Sequence, residues 1–231
     1  MHSSEPKSEP PILGHFVWPL LSRRARRLYA VACCRRIWRL FDDPRLTQAV
    51  EIAERYSDGL ESDETLRAAC GRSYQTLLAA ESQWLESPRE YALASSVTYE
   101  GDLHAFSTVR LAAYAAAEEV ADPATNARAY RLVMEEELQA QSVLLADFLF
   151  SEWERFPFCN VRASDRVKLL ARRTYLERHL PSGLFDTSLL KELAELVESD
   201  DLGCPAFAEH LRSARPHVRG CWAIDAILGL E

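Results

Sequence analysis

Apolar residues recur three and four positions apart along nearly the whole chain of 231 residues, and strict two-residue alternation is rare. That spacing predicts helices. The first starts near Ser22 and runs through Phe41, with Leu28, Val31, Ile37, Trp38 and Phe41 as its apolar positions. Asp43-Pro44 pairs a capping residue with a proline at the first helical position, which opens a second helix over Pro44 to Ser57 that Gly59 can close. Ser62 or Asp63 caps a third, reaching about Leu85. A short helix from Pro88 to about Val97 follows, then an alanine-rich one from about Asp102 to Val120, where Leu111, Ala112, Ala115 and Ala116 suit close helix packing. Residues 123 to 153 read as one long helix or two with a bend. Phe156-Pro157-Phe158-Cys159-Asn160 interrupts the pattern, and four shorter helices complete it: Ser164 to His179, Asp186 to Glu198, Pro205 to Leu211 and Val218 to Leu228.

The fold class this predicts is all-α: about ten helices in an irregular bundle or α-array. Residues 1–20, rich in Ser and Pro at their start, are expected to be a disordered or loosely attached lead. Residues 21–231 form one helical domain, with a place for a subdomain break near 155–163. The apolar tail predicts that Trp222, Ile224 and Ile227 are buried. Trp38 is expected inside, with Arg35 and Arg39 facing solvent.

Composition agrees with a well-filled core: 48% of residues are apolar, among them five Trp, eight Tyr and nine Phe. The Pro11–Leu21 stretch is too short and too broken to span a bilayer, and its arginines follow it, whereas a secretory signal carries them in front. A cytoplasmic protein without membrane contact is expected. Six cysteines fit that compartment as reduced thiols. Residues 1–50 carry nine basic and four acidic side chains, so the acidity behind the net charge of −8 lies in the rest of the chain. The basic first helix and the acidic body should attract each other.

Four sets of residues carry candidate chemistry. Cys204, His210, His217 and Cys221 gather two thiols and two imidazoles within eighteen residues, a ligand set for zinc, and a helix would turn His217 and Cys221 to the same side. The bland alternative makes both cysteines core residues, leaves His210 exposed and places His217 at a helix start. Cys33-Cys34, followed by Arg35 and Arg36, could hold one reactive thiolate, with at most one of the pair facing the core; no partner for a cysteine hydrolase is placed near it. Arg23, Arg24, Arg26, Arg27, Arg35, Arg36 and Arg39 could track phosphates, but a sequence pI near 5.4 argues against nucleic acid and for ion pairs with the acidic helices or simple solvation. Glu118-Glu119, Glu135-Glu136-Glu137 and Asp200-Asp201 lack the Glu-x-x-His spacing of di-metal bundles and read as solvated faces.

Arg27-Leu28-Tyr29-Ala30-Val31-Ala32-Cys33-Cys34-Arg35-Arg36-Ile37-Trp38 near the start, Ala49 to Leu60, and His217-Val218-Arg219-Gly220-Cys221-Trp222 with Asp225 near the end resemble an uncharacterised bacterial paralogous family of planctomycete type. The resemblance is strong at both ends and weak between about 85 and 160. The chain departs from it in its Pro10–Leu21 opening and in Leu211, where members often have cysteine. It implies a similar helical fold in a bacterial cytoplasm and carries no reaction. With no catalytic constellation in view, the expected function is a non-catalytic interaction or scaffold module that binds a protein partner or itself; the alternative is a zinc-binding protein using the C-terminal Cys/His set.

Overall fold

A computed structural model describes residues 20–81, 104–149, 163–200 and 205–230. Nine α-helices account for most of these residues: α1 Arg23–Arg36, α2 Pro44–Ser57, α3 Asp63–Glu81, α4 His104–Val120, α5 Ala127–Leu145, α6 Asp165–Leu176, α7 Thr187–Ser199, α8 Pro205–Leu211 and α9 Trp222–Leu228. The all-α class holds. The one departure is a hairpin of two-residue strands, β1 Arg178–His179 and β2 Leu184–Phe185, paired antiparallel where the pattern predicts the last turn of a helix. The capping chemistry explains most boundaries. Ser22, Asp43, Asn126, Ser164 and Asp186 each accept a hydrogen bond from a backbone N–H in the first turn that follows.

The first helix is shorter than predicted. It ends at Arg36, and Trp38–Leu40 form a separate 3-10 turn that angles Trp38 to a half-buried position. α1 is the central element, packing on α2, α4 and α5, and its residues from Leu28 to Arg35 are all buried. Enclosure on several sides is why Cys33 and Cys34 are both buried, correcting the expectation that only one would be. Arg35 is inside as well, 5% exposed, and not in solvent; Arg39 is exposed as expected. Ala112, Ala115 and Ala116 of α4 lie in the core and let α1 approach.

Apolar side chains form two main clusters. One joins α1, α2, α4 and the end of α5, with Val218 inserted from far along the chain. The other joins α6, α7, α8 and α9, with Phe185 of β2. Ile224 and Ile227 are buried in the second, while Trp222 is only partly buried. The expected break near 155–163 falls almost wholly outside the described residues, as do the predicted helix at Pro88–Val97 and the Phe156–Asn160 interruption. Among the described residues no helix is long and apolar enough to cross a membrane.

Between the two clusters runs a seam of charged and polar side chains. Glu54 of α2 accepts from Arg35 of α1 and from Arg178 of β1, both bidentate, and Arg35 also donates to the Pro181 carbonyl at 2.9 Å. Arg24 bridges Asp225 of α9 and Asp58, where Tyr175 donates its hydroxyl to Asp58 at 2.6 Å and Arg219 adds a contact at 3.1 Å. Most of the first-helix arginines thus have partners within the molecule. Arg36 pairs with Glu137, Arg39 approaches Glu119, and Arg27 lies over the Tyr56 ring.

Candidate metal centre

The third part of the seam gathers Asp147, His210, His217 and Cys221. One donor atom from each lies within 4.8 Å of every other. α5 ends at Leu145, and the turn that follows carries Asp147 to a fully enclosed position beside α8 and the loop before α9. His210 comes from the last full turn of α8, with its side chain 9% exposed. His217 and Cys221 flank a tight turn closed by the Cys221 N–H donating to the Val218 carbonyl at 3.0 Å. The predicted helical turn does not hold them, because α9 begins only at Trp222; the tight turn brings them together instead. Gly220 makes that turn possible. Its φ is +91°, and a Cβ there would run into the Phe148 ring.

Asp147 is the hub. Its Oδ1 accepts from His217 Nδ1 at 2.7 Å and from His210 Nε2 at 3.0 Å, and its Oδ2 accepts from the Val218 N–H at 2.9 Å. Its carbonyl accepts from the Trp222 N–H at 3.0 Å. Cys221 Sγ lies 3.3 Å from His210 Nε2 and 3.8 Å from His217 Nδ1. Beyond the four, Trp222 Nε1–H donates to His210 Nδ1 at 3.1 Å, and Ser213 Oγ stands 3.2 Å from His217 Nε2.

Burial pushes Asp147 upward, but the hydrogen bonds from His210 and His217 outweigh it and hold the carboxylate below its ordinary value. The carboxylate is therefore a buried negative charge. Burial, reinforced by Asp147, pushes the Cys221 thiol well above its ordinary value, so at neutral pH it keeps its proton. The same effect applies at Cys33, where burial raises the thiol; the reactive thiolate considered for Cys33-Cys34 is not formed there.

The donor set fits a divalent cation. A tetrahedral zinc with bonds of about 2.0 to 2.3 Å separates its ligand atoms by roughly 3.3 to 3.8 Å. Four of the six separations between the ligand atoms, 2.7, 3.0, 3.3 and 3.8 Å, approach that range and the other two lie within 4.8 Å, so the two hydrogen-bonded O–N edges must open for an ion to enter. Charge fits too. One carboxylate and one thiolate neutralise a doubly charged ion, which would sit against a buried carboxylate that otherwise relies on hydrogen bonds from His210, His217 and the Val218 N–H. Four protein donors occupy a tetrahedral sphere completely, which suits a structural ion and leaves no open position for substrate.

Of the residues singled out from sequence, His210, His217 and Cys221 meet in this centre, and Cys204 lies outside the described residues. His210 is not the exposed residue of the bland reading. Asp147 was missed. Its signal was an acid alone inside the apolar run Val143-Leu144-Leu145-Ala146-Asp147-Phe148-Leu149. No family model, curated protein or solved structure matches the chain. What fold and site define is an all-α protein with a closed Asp/His/His/Cys centre at the junction of two hydrophobic clusters.

Proposed function

We propose that Asp147, His210, His217 and Cys221 bind one structural zinc ion, and that the protein is a non-catalytic helical scaffold held closed by it. The observation that carries this reading is the convergence of four chemically suitable donors from three separate segments onto one buried point. Asp147 belongs to the side of α1, α4 and α5, and the other three ligands to the side of α8 and α9, so the ion would staple the two clusters. Elemental analysis by mass spectrometry of untagged, natively purified protein tests it. About one zinc per chain is expected, lost together with part of the melting temperature in Cys221→Ser. Absence of stoichiometric metal, with a melting curve indifferent to chelators, overturns it.

A second reading, a docking surface for another copy of the chain, is supported by α6. Leu169 and Leu176, 69% and 68% exposed, stand seven residues apart on its outer side, with Arg172 and Arg173 between them. Light scattering over a concentration series, on the natural chain and on Leu169→Glu/Leu176→Glu, tests this reading: a concentration-dependent dimer abolished by the double substitution supports it, and a monomer throughout sinks it.

A further inference from the structure

We infer that Trp222 locks the tautomer of His210 and thereby sets how tightly the centre takes zinc. The inference rests on the metal reading and extends it to a residue outside the ligand set. A neutral imidazole carries one proton. His210 Nδ1 accepts from the Trp222 indole N–H at 3.1 Å, and an indole N–H can only donate, so the proton of His210 sits on Nε2. There it donates to Asp147 Oδ1 at 3.0 Å.

Zinc requires the lone pair of that same Nε2. On binding, the Nε2 proton leaves for solvent, a proton is taken up at Nδ1, and the Cys221 thiol releases its own proton, so the net change is one proton lost. The new Nδ1–H then points at the indole N–H. Two donors face each other with no acceptor between them.

His217 meets no such conflict. Its Nδ1 proton, now donated to Asp147 at 2.7 Å, reappears on Nε2 when the metal takes Nδ1, and there it faces Ser213 Oγ at 3.2 Å. A hydroxyl accepts as readily as it donates. The two histidines thus differ in what stands behind them: an adaptable hydroxyl behind one, a fixed donor behind the other. Metal entry must turn the indole away from His210. The ring is only partly buried, at the first residue of α9, tilted against Phe207 at 5.2 Å and against His210 at 4.6 Å between centroids. Trp222 is a positioning residue, and removing its N–H while keeping an aromatic ring removes the conflict.

Zinc is titrated into metal-free full-length protein and into Trp222→Phe against a chromophoric chelator. Nitrogen-15 NMR of labelled histidine on the natural chain follows the proton of His210. The variant is expected to bind about ten-fold tighter, the gain from relieving one mismatched donor. The natural chain should show His210 protonated on Nε2 without metal and on Nδ1 with it, and its Trp222 indole N–H signal should move on loading. Zinc binding equally well or more weakly to the variant, with His210 keeping one tautomer throughout, overturns the lock and leaves the centre standing. Failure of both proteins to take zinc overturns the metal reading and the lock together. Should Trp222→Phe fail to fold, the tautomer assignment in the natural chain decides alone.

Discussion

Asp147 shows how much one side chain can be asked to do. It is an ionised carboxylate without solvent contact, stabilised by two imidazoles and a backbone N–H. Asp147→Ala leaves those donors facing an empty space, and stranding a buried donor costs about 1–3 kcal/mol. Urea denaturation of metal-free protein should show a loss of that order; a loss under about 1 kcal/mol would mean the carboxylate holds nothing together. Zinc binding carries its own pH signature. Because burial keeps Cys221 protonated, the ion must displace that proton, so affinity should fall about ten-fold for each pH unit lowered between 8 and 6. A pH-independent affinity would exclude Cys221 as a ligand.

At the scale of the element, α9 illustrates what the chain reveals about itself and what it withholds. Its apolar tail marks it as a docked helix, and Ile224 is fully buried. Ile224→Ala should cost about 2–5 kcal/mol through lost burial and the cavity left behind, read from thermal or urea unfolding. The helix ends at Leu228 as the spacing requires, but it starts at Trp222, four residues later than expected. Local pattern could not place that start, because the Val218–Cys221 turn is held by groups distant in sequence: the Val218 N–H bonds to Asp147, and Gly220 packs on Phe148. The same limit hid Asp147 from the ligand set. The bounds of α2, capped by Asp43, and of α8 were readable to the residue, since capping and periodicity are local. The 178–185 hairpin was not, since Arg178 and the Pro181 carbonyl are held by Glu54 and Arg35, contacts that span more than a hundred residues.

Across the whole molecule, the two apolar clusters meet through ion pairs, and Arg24 and Arg35 of α1 share the positive side of the seam with Arg178 and Arg219. Arg35 illustrates the point: an amphipathic reading puts it in water, but a central helix has little wet face, and Glu54 receives it. Burial pushes Glu54 upward, yet Arg178 and Arg35 together hold it below its ordinary value. A carboxylate lowered in the folded chain contributes stability that is present above its unfolded value, near pH 4, and is lost as pH falls through the folded one. Glu54→Gln should therefore lower stability at pH 7 and flatten the acid side of the stability profile below about pH 4, measured by chemical unfolding across pH; an unchanged acid limb would remove Glu54 from the seam's energetics.

The depth of those ion pairs bears on how the molecule responds to its medium. At about 1 M salt the screening length shrinks to about 3 Å, and pairs at the surface, such as Arg173 with Glu177 or Arg67 with Asp63, lose most of their attraction. Arg35 and Glu54 are enclosed, and Arg24 and Asp58 are mostly covered, so their pairing is screened far less. Brine would therefore loosen the outside of this protein while leaving its two halves joined.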